Sequence, residues 1–247
     1  MGIYKYMKTK TYDKNGETNL LKKVFEDKTL RFTSPLSFND PFEFRYPVKY
    51  LSPSSSVDLN NLVNSLFNNN QFNNIALDFV LKGIGILSLS ASNDDILMWS
   101  HYADHHKGIV LEFYEDHSFF SESTDDKKLI HNLEEVNYQI DRPYPKNEEE
   151  YFLDKSMYLT KHINWEGEQE SRVAVLLDEA GNDDKYNIKF PTDLIKSVYI
   201  GVRTDNDDIK YIVNLKQKEE WRHLNIYKLK MDEKDYKLNT YIGRFKR

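Results

Sequence analysis

In SRVAVLL, residues 171–177, everything after Arg172 is apolar on both alternating faces, and most of GIGILSLSAS (83–92) and GIVLEFY (108–114) reads the same way. Runs this short cannot cross a bilayer as helices, which takes about 18 or more apolar residues. A strand with one wet face would alternate apolar with polar side chains, so these three need cover on both faces. They set the frame: a central sheet with buried strands. A chain of 247 residues with 39% hydrophobic content is long enough to bury such a sheet in one domain.

Around this frame the pattern is irregular. Ile3–Met7 reads as a short first strand, and Asn19 stands where it can cap a helix whose Leu20, Leu21, Val24 and Phe25 share a face. LRFTSP alternates as another strand. Proline and asparagine then break the pattern in PLSFNDPFEF, a loop over 35–44 held by its own Phe38, Phe42 and Phe44. Residues 52–82 carry a Ser-rich start, helically spaced leucines and an asparagine tract, which predicts a helical insertion. NDDILMWSHYADHHKG predicts a capped helix closed by Gly108. VNYQI is a strand, 148–161 an acidic helical segment, and LIKSVYIG and IYKLKM are two closing strands around the helix IKYIVNLKQKEEW. Strands outnumber helices and no βαβ repeat is visible. The class expected is α+β, a single domain over 1–247 with a mixed or antiparallel sheet.

Composition excludes several chemistries. There is no cysteine, so disulfides, thiolate nucleophiles and iron–sulfur clusters are out, and a reducing compartment is compatible. Lys and Arg number 34 against 40 Asp and Glu, a formal charge of −6, which argues against a general phosphate-backbone binder. Nucleic acid remains open only through a local patch such as the terminal GRFKR, whose plainer reading is a frayed end. The N-terminal stretch lacks the apolar core of a signal peptide, and the expectation is a soluble, cytoplasmic protein without a membrane partner. His101, His105 and His106 have near-helical spacing but lack the glutamate of a metalloprotease motif, so no metal is assigned. Gly83 and Gly85 are a fragment of a dinucleotide fingerprint, and no serine sits in a nucleophile elbow.

The chemistry-bearing stretch is INWEGEQESRVAVLL. Strand alternation sends Glu168, Glu170 and Arg172 to one face, successive side chains about 7 Å apart. One reading is a surface ion-pair ladder at a strand end. The other is a cleft that needs localised negative charge, with Arg172 tuning the carboxylates and Trp165 beside them. The apolar run that follows favours the cleft.

The pieces IYKYM, LRFTSPLSFNDPFEF, ILSLSASNDDILMWSHYADHHKGIVLEF, VNY, KHINWEGEQESR and FPTDLIKSVYIG occur in this order. In that order they resemble the bacterial domain of unknown function family 2971. More distantly, the succession of elements looks like the ADP-ribosyltransferase superfamily. That second resemblance implies a split sheet and NAD as substrate. It implies Glu170 in the catalytic place, Glu168 positioning or deprotonating a nucleophile, and Arg172 tuning the pair. It places Ser90 near the nicotinamide amide and Tyr102 stacked on the ring, with Trp99 and Trp165 as further walls. On the first strand, where the pattern has histidine or arginine against NAD, this chain has Tyr4, Lys5 and Tyr6. Lys5 would act there as a point charge without the arginine fork. Asp40, Glu43 and His101 are further cleft candidates, while Asn39 is read as capping a turn. The acceptor, an unidentified macromolecule or small molecule, is not named by any residue. The expected function is NAD-dependent ADP-ribosyl transfer or NAD hydrolysis, in the setting of a toxin or antiviral defence effector. The alternatives are another carboxylate-pair enzyme acting on a sugar or nucleic acid, and a non-catalytic nucleotide- or protein-binding module.

Overall fold

A computed structural model of the chain describes residues 2–13, 16–44, 78, 81–124, 127–143, 155–177 and 186–241. The strands are β1 (Gly2–Met7), β2 (Lys10–Asp13), β3 (Gly16–Asn19), β4 (Thr29–Arg31), β5 (Ile84–Ser90), β6 (Ile109–Tyr114) and β7 (Lys128–Glu135). They continue with β8 (Asn137–Gln139), β9 (Thr160–His162), β10 (Glu170–Leu176), β11 (Asn187–Lys189), β12 (Ile195–Ile200), β13 (Asn225–Met231) and β14 (Leu238–Tyr241). The α-helices given among the described residues are short: α1 (Leu20–Phe25), α2 (Ile96–Tyr102), α3 (Lys155–Leu159) and α4 (Asn206–Asn214). The fold is a mixed one, a large sheet with few helices, and none of the described helices is long and apolar enough to cross a membrane.

Eight strands form the main sheet in the order β14-β13-β12-β6-β1-β5-β10-β7. All neighbours are antiparallel except β12 and β13, which run parallel because α4 lies in the connection between them. The three apolar runs are β5, β6 and β10, and all three lie inside this sheet with cover on both faces. One face packs Ile3, Leu87, Leu89, Leu111 and Val173 into the largest core cluster, closed by Phe25 of α1 and by Trp221, whose indole donates to the Phe25 carbonyl at 3.0 Å.

The opposite face is divided. At one end Tyr6, Val110 and Tyr199 pack against Trp99 and Ala103; at the other Ile84, Ile86 and Ala174 pack against α3 and Phe44. Between these two clusters the pairing of β1 with β5 shrinks to one position, Tyr4 opposite Ser90, whereas β1 pairs β6 over its whole length. The sheet therefore opens along the β1–β5 seam, and the polar side chains of Ser88, Ser90, Glu170 and Arg172 stand beside the opening.

Local chemistry explains the elements that were legible. Asn19 accepts from the Lys22 amide at 3.0 Å and starts α1; Asp95 does the same for Met98 at 2.8 Å and starts α2. The structure corrects other expectations. α2 ends at Tyr102, and Asp104, His105 and His106 follow with positive φ, so the three histidines do not share a helical face. Gly108 does close the turn: a Cβ there would stand 2.2 Å from the Met7 carbonyl oxygen. In the 35–44 loop Phe38 packs on Phe44 edge to face at 5.0 Å, but Phe42 faces solvent at 62% exposure. Ahead of VNYQI the sequence pattern predicts no element, yet β7 stands there as an edge strand on β10. Its one-sided burial gives no apolar run. The acidic segment 148–161 yields only α3 and the start of β9 among its described residues. The insertion expected over 52–82 falls, but for three residues, outside the described part of the chain.

Candidate functional site

Glu170 opens β10, but Glu168 does not belong to that strand. Residues Ile163–Glu168 form a 3-10 turn, and Gln169 takes a left-handed conformation at φ 45°. The expected single strand face is thus replaced by a bend, and the bend still turns both carboxylates toward the same cation. That cation is Lys161 of β9, which sequence reasoning left out. Its ammonium is 2.5 Å from Glu168 Oε2, 3.1 Å from Glu170 Oε2 and 3.5 Å from Glu43 Oε1. β9 runs parallel to the short β8 and delivers Lys161 to the site by tertiary pairing, so no spacing rule links it to the glutamates. Its presence in KHINWEGEQESR was the one available hint.

Arg172 is completely buried. Nε donates to Glu170 Oε1 at 2.7 Å, Nη2 to Glu170 Oε2 at 2.8 Å and to Glu43, and Nη1 to the Tyr158 carbonyl at 2.9 Å. The bidentate fork explains why this position is arginine. The guanidinium also stands 5.3 Å from the ring centres of Phe38 and Phe44, which ties the 38–44 loop to β10.

Tyr102, from the end of α2, donates its hydroxyl to Glu168 Oε1 at 2.6 Å and receives the Asn39 amide at 3.1 Å. Asn39 therefore serves the site, and its neighbour Asp40 caps the turn by accepting from the Phe42 amide at 2.8 Å. This reverses the reading of Asn39. Ser90 Oγ donates to the Glu168 carbonyl at 2.8 Å, and Tyr138 holds the Glu170 amide at 2.8 Å. Lys5, reaching through the seam, donates to the Ser88 carbonyl at 3.2 Å.

The electrostatics follow from this crowding. Burial alone would raise the pKa of Glu170, but the charge and hydrogen bonds of Arg172, aided by Lys161, hold it at about 2. Burial raises Glu43 despite Arg172 and Lys161. For Lys161 burial pulls down, and Glu170, Glu43 and Glu168 together push the pKa above its ordinary value. Lys5 is lowered to about 8 by burial, partly offset by Glu170. Burial and the bond to Glu168 raise Tyr102. At neutral pH Glu170 is ionised and fixed, suited to meeting positive charge or a hydroxyl donor and unsuited to giving up a proton.

A cavity of about 230 Å³ fills the seam, and it gathers Tyr4, Lys5, Ser90, Tyr102, Glu168 and Glu170 at its wall. Five candidates, Trp99, His101, Trp165, Asp40 and Glu43, lie elsewhere. Trp99 is wholly buried, with its indole donating to the Asn93 carbonyl at 2.8 Å and its ring against Tyr6, so it is core. His101 is exposed and only edges Tyr102. Trp165, with Asp40, lines a second and larger cleft of about 710 Å³ on the far side of Lys161 and Asn39, which border both spaces. Glu43 faces that larger cleft while sharing the ion network.

Residues 98–173 match the family model described as Protein of unknown function (DUF2971). The chain resembles this family. The matched segment runs from α2 to the start of β10 and so includes Tyr102, Lys161, Glu168, Glu170 and Arg172, while β1, the 38–44 loop and Ser90 lie outside it. That span is narrower than the run of pieces from IYKYM to FPTDLIKSVYIG. No curated protein and no solved structure matches the chain.

Proposed function

We propose that the seam cavity is an ADP-ribosyltransferase-like site that cleaves the bond between nicotinamide and ribose in NAD. One observation carries the reading: six residues selected from sequence, drawn from four separate elements and the turn ahead of β10, line one cavity where the sheet opens. The cavity falls below the roughly 300–1,000 Å³ of pockets that enclose whole drug-sized ligands, so it accommodates one ring and its sugar and leaves the rest of a dinucleotide outside. Tyr4, Tyr6 and Tyr102 supply flat walls for a ring, Met98 adds apolar surface, and the two glutamates supply the charge.

As the C1′–N bond breaks, its electron pair leaves on the nicotinamide nitrogen and neutralises the pyridinium, while positive charge develops on the ribose. Water or an acceptor then adds to C1′ and gives up its proton. The carboxylates act by stabilising that charge and accepting a hydrogen bond from a ribose hydroxyl. Of the pair, Glu168 is the better placed acceptor. Its side chain is 12% exposed against 5% for Glu170, and Glu170 already takes three bonds from Arg172 and Lys161. Glu170 then serves to hold Arg172 and Lys161, and Tyr102 orients Glu168. The setting in toxin action or phage defence is an extension of the same proposal.

The test is nicotinamide release from NAD, followed by chromatography with cell lysate as a source of acceptors. Release by the wild type, lowered on the order of 100-fold or more in Glu168→Gln at unchanged folding, is the expected outcome. Absence of release by the wild type under every acceptor condition sinks the proposal. The saturation of Glu170 by cations favours a second reading, a nucleotide-binding module without turnover, which predicts NAD binding by calorimetry with no product.

A further inference from the structure

The larger cleft is unlike the seam cavity in its walls. Phe42 is 62% exposed and Ile140 76% exposed, both at its edge, where a soluble surface would ordinarily carry polar groups. The Arg142 guanidinium lies 4.6 Å from the Phe42 ring centre, and Lys161 lies 4.9 Å from that of Trp165. Phe42 does not dangle: the bond from its amide to Asp40 fixes the turn that presents it.

We propose that this cleft binds a single nucleobase, as a nucleoside, stacked on Phe42 and Trp165. Planar aromatic walls with neighbouring guanidinium and amide groups are the means by which proteins hold unpaired bases, through their π-faces and through the hydrogen-bonding edges. Asn164 brings an amide to this wall, where Gln139 is held by its own bonds to Asn137 and the Asp141 carbonyl. The volume, about 710 Å³, suits one base and its sugar with space to spare. Charge separates a nucleoside from a polynucleotide. Asp40, Glu43 and Asp141 accompany Arg142 and Lys161 at the wall, and the whole chain carries −6, so no continuous positive track exists for a phosphate backbone among the described residues. The inference stands apart from the reaction proposed for the seam, since neither stacking residue lines that cavity.

Tryptophan fluorescence provides a local readout, because Trp99 and Trp221 are wholly buried and Trp165 is the one partly exposed. Adenosine, guanosine, cytidine and uridine are titrated separately into the full chain, with toluene as an aromatic that has no hydrogen-bonding edge. The expected result is saturable quenching by at least one nucleoside, weakened about tenfold in Phe42→Ala, whose exposed side chain is not needed for folding. Asn164→Ala should then change the order of preference among the bases. No saturable quenching by any nucleoside overturns the proposal, as does an unchanged affinity in Phe42→Ala or quenching by toluene equal to that by nucleosides. Nicotinamide release from the same preparations reports the seam independently, so the failure of one reading is distinguishable from the failure of the other.

Discussion

Two carboxylates on the same sheet face, Glu112 of β6 and Glu170 of β10, are almost equally buried, at 4% and 5% exposure, yet they are compensated in opposite ways. Glu112 meets Lys196 at 2.7 Å and the Tyr199 hydroxyl at 3.1 Å, and Lys196 keeps 42% of its side chain in water. Glu170 meets Arg172 and Lys161, whose side chains are 0% and 3% exposed, and both cations are shared with further carboxylates. The first is a closed pair at the rim. The second is a dry network in which three carboxylates depend on two cations, and desolvating so many charges costs more than apolar packing would. Such an arrangement is poor value as a device for stability alone, and its members line both cavities of the molecule.

The largest effect should come from breaking the dry network at its centre. Arg172→Ala leaves Glu170 and Glu43 buried without their main partner, and the expected loss is about 3–5 kcal/mol in a denaturant or thermal melt. A loss below about 1 kcal/mol would mean that water enters the site freely and that the contrast with Glu112 is only apparent.

Acid provides a finer probe. A carboxyl held at about 2 contributes stability that is fully present above the ordinary carboxylate pKa, about 4.3, and is lost as the pH falls through 2. Glu43, raised by burial, has the opposite sign: its contribution is present at low pH and disappears as the pH rises. Wild type should therefore lose stability between about pH 4 and pH 2 more steeply than Glu170→Gln, which has nothing left to protonate at that position. Superimposable acid limbs for the two proteins would remove Glu170 as the ionised centre.

The two regions also differ in how far the sequence revealed them. β5, β6 and β10 were legible because burial on both faces leaves a mostly apolar run, and α1 and α2 because Asn19 and Asp95 satisfy backbone amides locally. β7 and β14 were not, since an edge strand with one covered face has no such signature, and the hairpin of β2 and β3 shows too little apolar content. At the site, Glu168, Glu170 and Arg172 stood out by their position before VAVLL. The bend at Gln169 was hidden, because a left-handed residue that is not glycine leaves no mark in the sequence. Lys161 and Asn39 arrive by tertiary contact alone. Trp99 shows the converse error: an aromatic residue at helical spacing belonged to the core.

The smallest effect should come from Lys196→Ala, and it is the control on which the comparison rests. Lys196 is half in water, so on its removal solvent can reach Glu112 and replace one hydrogen bond, while the Tyr199 hydroxyl keeps the other. Pairs of this exposure are worth about 0–1 kcal/mol, and for a chain of this length that corresponds to a fall in Tm of no more than about 4 °C. Because the ammonium is exposed, added salt should shrink the difference between wild type and variant, whereas the loss in Arg172→Ala should persist in salt. If Lys196→Ala proved as costly as Arg172→Ala, burial of the carboxylate rather than of its cation would set the energy. The network beside the seam would then be one more core ion pair, with no claim to be a site on stability grounds.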